Sequence, residues 1–148
     1  MLTMRSIFII KKKVIIIIFC VLAIVGILVY FAVPYLSVKH DKELEESLNK
    51  LIKEDNSKTI DIGDLITYDW ERAYMFHPYT EEADMKDILG LKFHDPVGMA
   101  LMDDVELLVV VKDDNTFEYA KIQRGNGDLS MGVEYITPKN DVVEITHP

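Results

Sequence analysis

The sequence predicts an α+β protein in which an N-terminal transmembrane helix precedes a small domain with an antiparallel sheet and two helices. Three observations lead to this fold class. An uncharged apolar run occupies residues 14–33, helical periodicity follows it, and β-rich segments dominate the last third of the chain. Helices early and strands late in a domain are typical of the α+β class.

The apolar run Val14–Val33 predicts the transmembrane helix. A helix of about 20 residues spans roughly 30 Å, which matches the hydrocarbon core of a bilayer. Tyr30 and Tyr35 lie near its C-terminal end, where aromatic rings favour the headgroup region. Pro34 is predicted to interrupt the helix, because proline lacks the amide hydrogen that a helix uses.

The flanking charges predict the orientation of this helix. Arg5, Lys11, Lys12 and Lys13 precede the run, and the first acidic residue is Asp41. The positive-inside rule then makes residues 1–13 cytoplasmic and places the rest outside the cytoplasm. The prediction is a single-pass signal-anchor protein of the cell membrane with an extracytoplasmic domain.

Two alternatives to the anchor are a cleaved signal peptide and a lipid-modified cysteine. A signal peptide has a shorter apolar core, of about 7–15 residues, and a small-residue cleavage site. Here the run ends instead at Tyr35-Leu36-Ser37. A lipidated Cys20 would follow small residues, whereas the bulky Phe19 precedes it. We therefore interpret Cys20 as a small apolar residue of the helix.

Charge is divided sharply along the chain. All 25 acidic residues follow His40, and 4 of the 16 basic residues precede the anchor. The segment from Lys39 onward therefore has 12 basic and 25 acidic residues, a net charge of −13. Nucleic acid and anionic membranes select clustered lysine and arginine, so this segment disfavours both as partners. It suits either a cationic partner or simply a soluble domain that is kept off the anionic membrane surface, and the second interpretation is favoured. Without a cysteine after Cys20, the domain depends on its hydrophobic core.

Residues 34–58 are predicted to connect the anchor to the domain as a helix. Leu44, Leu48 and Ile52 recur at helical spacing between Ser37 and Lys58. This stripe has two interpretations: a short coiled coil that pairs subunits, or a helix packed on its own domain. The second is favoured, because the stripe covers fewer than three heptads.

The α+β domain is predicted to occupy residues 59–148. Its strands are predicted from β-branched and aromatic runs bounded by turn residues. These runs are Lys58–Ile62, Arg72–Phe76, Val105–Val111, Phe117–Ile122, Gly132–Ile136 and Val142–Thr146. The run Val105–Val111 is apolar on both faces, as expected of a central strand. Turns are predicted at Asp113-Asp114-Asn115 and at Gly125–Asp128.

One further helix is predicted after the strand Arg72–Phe76. Thr80 precedes it as a capping residue, acidic side chains occupy its first turn, and Gly90 follows Leu89. These features stabilise the two ends of a helix over residues 81–89. Residues 91–102 have no clear period and are predicted to form a loop.

Metal and catalytic sites receive little support. The histidines, which are His40, His77, His94 and His147, include no His-x-x-x-His pair. The chain has no nucleophile elbow, and Ser130 has no evident histidine partner. We therefore predict no catalytic residues, no metal and no cofactor. The enzymatic alternative is a hydrolase or metal-dependent enzyme that uses His77, His94 and nearby carboxylates.

The segment Tyr68–Thr80 contains the only tryptophan and four further aromatic residues. It has two interpretations. As a core strand, it would pack its rings against the following helix. As a recognition surface, it would bind a partner through large aromatic anchors, with an arginine able to hold a carboxylate. The candidate binding residues are Trp70, Arg72, His77 and Tyr79.

Part of this segment and its continuation follow a pattern known from other proteins. The residues concerned are Asp69, Trp70, Tyr74, Phe76, Pro78, Tyr79, Thr80, Leu89, Gly90, residues 107–112 and the turn Asp113-Asp114-Asn115. They resemble the stretch Asp-Trp-Asp-x-Val-Tyr-x-Phe-x-Pro-Tyr-Thr, then a short helix ending in Leu-Gly and a hydrophobic strand, of small bacterial lipoproteins and membrane-anchored proteins of unknown function. Glu71 and Ala73 depart from this pattern, and Cys20 lacks the lipoprotein context. The resemblance implies a bacterial, envelope-facing protein and no particular reaction.

These observations predict a non-enzymatic module of the bacterial envelope. It is anchored in the membrane through residues 14–33 and binds another protein or a component of the wall or surface, rather than nucleic acid. A more specific alternative is an immunity or inhibitor protein that neutralises a cationic toxin or enzyme through its acidic domain.

Overall fold

The computed structural model describes residues 4–54, 58–113 and 116–147, and for residues 4–12 and 33–36 the backbone alone. The chain divides into two units, Met1–Val33 and Pro34–Pro148. Several residues of the sequence predictions lie outside this description. They are the side chains of Arg5, Lys11, Lys12 and Tyr35 and the turn residues Asp114 and Asn115.

The first unit is formed by a long helix, α1 (Met4–Leu36). Its stretch Lys13–Ala32 has 20 residues and a mean hydropathy of 3.3. By length and composition this helix can cross a membrane once, a property that signal sequences share. The prediction that Pro34 interrupts the helix is wrong, since the helix continues to Leu36. A proline so close to the C-terminal end removes a single backbone hydrogen bond, which the helix tolerates.

The second unit is an α+β domain. Its helices are α2 (Lys42–Glu54) and α3 (Glu82–Leu89), and its strands are β1 (Val38–His40), β2 (Thr59–Asp61), β3 (Arg72–Phe76), β4 (Val105–Asp113), β5 (Thr116–Gln123), β6 (Asp128–Ser130) and β7 (Val142–Thr146). The strands form a four-stranded sheet in the order β1-β5-β4-β3 and a three-stranded sheet in the order β2-β7-β6. Neighbours are antiparallel except for the parallel pair of β1 and β5.

The α+β class is confirmed, but the predicted single antiparallel sheet is wrong. Strand β7 lies between β2 and β6 in a second sheet, and the short β1 adds a parallel strand to the first. The strand predicted over Gly132–Ile136 does not form, and only Ile136 pairs, in an isolated bridge with Ala73. Gly132 has a φ of 64°, a left-handed conformation that ends an extended run.

The predicted connecting helix over residues 34–58 is shortened by a cap. Asp41 Oδ1 accepts a hydrogen bond from the Leu44 amide at 2.9 Å, so α2 begins only at Lys42 and β1 precedes it. Leu44, Leu48 and Ile52 are buried in the core of the domain. The apolar stripe of α2 therefore packs on its own domain.

Helix α3 begins one residue later than predicted. Glu81 occupies the N-cap position, and no side chain caps it. The predicted cap at Thr80 is wrong, because the Thr80 hydroxyl donates instead to the His77 carbonyl at 2.7 Å. The predicted stop is confirmed, since Gly90 is left-handed with a φ of 66°.

Strand β4 lies between two hydrophobic cores, and its residues from Val105 to Val111 are all buried. Side chains of successive residues point to opposite faces of a sheet. Leu107 and Val109 therefore enter the core shared with α3, and Leu108 and Val110 enter the core shared with α2 and the second sheet. The prediction of a central strand with two apolar faces is confirmed.

Candidate binding site

The four residues that the sequence singled out for binding lie at the two ends of β3. Trp70 is partly buried against the core shared with α2. Arg72 Nη1 donates a hydrogen bond to the Tyr74 hydroxyl at 3.2 Å. His77 and Tyr79 follow the strand at its other end, and a strand of this length spans about 16 Å. The structure thus brings His77 and Tyr79 to one end and does not join them to Trp70 and Arg72.

His77 is held by a carboxylate in the interior of the domain. His77 Nδ1 lies 2.8 Å from Glu106 Oε1. The Glu106 side chain is 3% exposed, and it is the one charged residue among the buried residues of the described chain. Glu106 Oε2 accepts a hydrogen bond from the Leu129 amide at 3.1 Å. The carboxylate therefore links β4 to β6 of the second sheet while it orients the imidazole.

The register of the sheet explains why these residues meet. Phe76 pairs with Leu107 in the antiparallel ladder, so the next position places His77 opposite Glu106. Directly opposed side chains of such a pair lie within contact distance. Sequence reasoning missed Glu106, although a signal was present. A carboxylate inside the apolar run Val105–Val111 is unusual, because glutamate is rarely buried unless it is paired.

An open cavity of about 370 Å³ lies beside His77. Met75 and His77 line it on the side of β3, and residues 129–134 line it on the other side. Its size lies at the lower end of ligand cavities, which measure about 300–1,000 Å³. The cavity therefore offers room for a small group or a short stretch of peptide next to a fixed imidazole.

The lining of this cavity includes one carboxylate. Glu134 is an exposed lining residue, and the lining contains no lysine or arginine. The nearby guanidinium of Arg124 is already paired, since its Nε and Nη2 bind the two carboxylate oxygens of Asp128 at 2.8 and 3.2 Å. These hydrogen bonds, together with the nearby His77, hold the pKa of Asp128 below its usual value. The lining thus places one exposed carboxylate, that of Glu134, in the same cavity as the His77 imidazole.

Tyr79 is exposed at the same end of β3 in an unusual conformation. Its φ of 66° is the one positive value among the non-glycine residues that the structure describes. The Tyr79 amide donates to the Met99 carbonyl at 2.9 Å, which holds the turn. A left-handed conformation costs a residue with a side chain roughly 1–2 kcal/mol. Strain of this kind concentrates at functional sites.

The arrangement around His77 gives less support to an enzymatic role. A carboxylate that orients an imidazole is one part of a catalytic triad, and Ser130 lines the same cavity. The described hydrogen bonds include none between Ser130 and His77. His94 Nδ1 lies 2.8 Å from Glu82 Oε2, so His77 and His94 are held by different carboxylates. Within the described ranges, no group of three or more His, Cys, Asp or Glu residues is arranged to hold a metal.

Comparisons with protein-family models, with curated proteins and with solved structures gave no match. The resemblance to small envelope proteins around Asp69–Asn115 therefore stays a prediction.

Proposed function

We propose that this chain is a non-enzymatic binding module of the bacterial envelope. In this proposal the apolar helix over residues 14–33 anchors it, residues 1–13 stay in the cytoplasm, and the acidic domain lies outside. The domain binds a cationic surface of another envelope protein. The observation that carries the proposal is the open cavity beside His77, whose imidazole is fixed by the buried Glu106.

Preorganisation supports a binding role for this cavity. Glu106 fixes the His77 ring through Nδ1, so the ring presents Nε2 as its remaining polar atom. A polar group that is already positioned loses little freedom when a partner binds, which favours affinity. The exposed ring of Tyr79 and the Leu101 side chain, which is 88% exposed, add apolar surface at the same end of the domain. Aromatic anchors with nearby polar groups are typical of protein interfaces.

Site-specific photo-crosslinking in living cells tests this proposal on the full chain. A photoreactive residue replaces Val133 at the cavity or, as the matched control, Val142 on β7. The two positions are 52% and 48% exposed, so chance encounters label them equally. We expect a discrete protein adduct from position 133 and none from position 142. Equal adducts at both positions, or none at either, would show that the cavity is not the binding surface.

The topology has its own test. Lys139 is exposed in the domain, and Cys20 is the only native cysteine. In a Cys20→Ser background, Lys139→Cys should react with a membrane-impermeant maleimide in intact spheroplasts, and an N-terminal cysteine should react only after lysis. The opposite labelling would contradict the orientation. Release of the domain into the medium would favour a cleaved signal sequence.

The charge of the domain favours a second candidate, an immunity or inhibitor protein. The segment from Lys39 onward has 12 basic and 25 acidic residues, and a surface of this charge attracts a cationic toxin or enzyme. Deletion of the gene should sensitise cells to such a toxin, and complementation should restore resistance. Unchanged sensitivity across a panel of cationic toxins and envelope hydrolases would contradict this candidate and leave the general binding role intact.

A further inference from the structure

We propose that the outer edge of β3, over residues 75–77, accepts an extended and positively charged segment of a partner protein as an added strand. This inference rests on the proposed function and names the kind of partner segment that binds at the cavity.

The backbone of β3 is open where the cavity begins. Ala73 exchanges two hydrogen bonds with Ile136, each of 2.9 Å, and this bridge is isolated. Backbone groups of alternate residues in a strand point to the same edge. The amide and carbonyl of Met75 therefore point away from β4, as those of Ala73 do. The described ladder pairs of β3 with residues 130–136 end at this bridge, and Met75 and residues 130–134 line the cavity together, so we place these groups at the cavity.

Strand β5, on the far side of β4, has its outer side covered. Strand β1 covers β5 over Phe117–Tyr119. Beyond β1, side chains of α2 take the place of a strand. Glu45 Oε2 accepts a hydrogen bond from the Lys121 amide, Asn49 Nδ2 donates to the Lys121 carbonyl, and Asn49 Oδ1 accepts from the Gln123 amide, each at 2.8 Å. The fold thus satisfies the outer side of β5 and leaves β3 available at Met75.

An unpaired edge is a template for another strand, and proteins use such edges to bind extended peptides. A strand of three residues spans about 10 Å. The open cavity of about 370 Å³ lies beside this stretch and gives a peptide segment access to it. The open stretch of β3 therefore offers the amide and carbonyl of Met75 to an added strand, while the His77 carbonyl already accepts hydrogen bonds from Thr80.

The side chains around this edge indicate the chemistry of the segment. Met75 and Met131 are flexible, polarisable residues that adapt to apolar side chains of different shapes. Glu134 supplies an exposed carboxylate. Side chains alternate along a strand. A segment that alternates lysine or arginine with apolar residues would therefore complement both the Glu134 carboxylate and the two methionines. An acidic segment would meet repulsion from Glu134 and from the acidic domain as a whole.

The direct test titrates the full chain in detergent micelles with a synthetic pentapeptide, acetyl-Lys-Val-Lys-Val-Lys-amide. Two matched peptides act as controls. One replaces each lysine by glutamate, and the other keeps the side chains but carries N-methyl groups on alternate backbone amides. We expect the basic peptide to bind with shifts of the Met75 and His77 amide resonances. Both control peptides should bind about tenfold more weakly or worse, because one loses charge complementarity and the other loses backbone donors.

A pair of charge reversals in the protein locates the contact. Glu134→Lys changes the cavity, whereas Glu144→Lys makes the same change on the exposed face of β7. Glu134→Lys should weaken the basic peptide about fivefold or more, and Glu144→Lys less than about twofold. Equal effects of the two variants would indicate a general field and overturn the assignment to this edge.

The outcomes separate this inference from the proposed function. Binding that tolerates N-methylation would overturn strand addition, while adducts from position 133 would still support a binding role for the cavity. If no peptide bound while position 133 still gave adducts, strand addition would likewise be overturned and the binding role of the cavity would still be supported. A concentration-dependent dimer that protects the Met75 amide from hydrogen exchange without peptide would overturn the proposal in favour of a second copy of the chain.

Discussion

Glu106 and His77 lie opposite each other on neighbouring strands, and the carboxylate that holds the imidazole on one oxygen holds the Leu129 amide on the other. One buried side chain therefore couples the candidate binding residue to the contact between the two sheets. Any partner that displaces the imidazole also changes the surroundings of this carboxylate. The first prediction follows from this double role.

Replacing Glu106 should destabilise the domain according to how many of its bonds the new side chain keeps. Glu106→Ala leaves the buried Leu129 amide without an acceptor, which costs about 1–3 kcal/mol of unfolding free energy. Glu106→Gln should cost less, because its amide oxygen can still accept from Leu129 and its nitrogen can donate to His77 Nδ1. Urea denaturation of both variants measures the difference. If the alanine variant were as stable as the exposed control Glu144→Ala, the structural role would be refuted.

Opposite substitutions at two left-handed residues should have opposite effects. Tyr79 and Gly90 both have a φ of 66°. Tyr79→Gly removes the strain and should raise the unfolding free energy by up to about 1 kcal/mol, whereas Gly90→Ala should lower it by a similar amount. Thermal denaturation gives both shifts. In the crosslinking assay, the more stable Tyr79→Gly should give weaker adducts. A loss of stability in Tyr79→Gly would show that the Tyr79 ring packs more firmly than its exposure indicates.

The closed edge of β5 depends on Asn49. Asn49→Ala removes the partners of the Lys121 carbonyl and the Gln123 amide, and we expect a loss of about 0.5–1.5 kcal/mol in stability, because water can reach these groups. It also uncovers a strand edge, so the variant should self-associate more readily in size-exclusion chromatography. Lys50→Ala, on the exposed face of the same helix, is the control and should do neither. A monomeric and fully stable Asn49→Ala would contradict this role.

Acid should remove the contribution of Glu82 to the stability of the fold. Burial alone would raise its pKa, but hydrogen bonds from Lys86 and the Asp95 amide outweigh it and lower the pKa below the usual 4.5. A carboxyl whose pKa is lowered by folding stabilises the fold above its unfolded pKa and loses this effect as the pH falls through its folded value. The stability difference between the wild type and Glu82→Gln should therefore shrink below about pH 4.5, as urea unfolding at several pH values would show. A constant difference would refute the assignment.

Local patterns predicted much of the fold. The bounds of β3 and β7, the two buried faces of β4 and the glycine stop of α3 follow from runs of β-branched residues and from Gly90, which are properties of short stretches of chain. Strand β1 was not predictable in this way, because three residues carry too little pattern. Its place depends on pairing with Phe117–Tyr119, far along the sequence.

The candidate site was predictable only in part, for a related reason. His77 was singled out for its place in an aromatic segment, but its partner Glu106 is separated by 29 positions and is fixed by the register of two strands. The grouping of Trp70 and Arg72 with Tyr79 assumed that nearness in sequence gives one surface. The extended strand between them places them at opposite ends instead.

The α2 side chains that cover β5 also bear on stoichiometry. A sheet with two free edges can add strands without limit, and it can thereby grow into fibres. In the four-stranded sheet, Glu45, Asn49 and β1 cover the outer side of β5, and on β3 the bridge to Ile136 leaves a short stretch beside Met75. A complex formed there saturates at one added strand per chain. Pairing of two copies through this stretch would give a closed dimer and would not extend into a polymer.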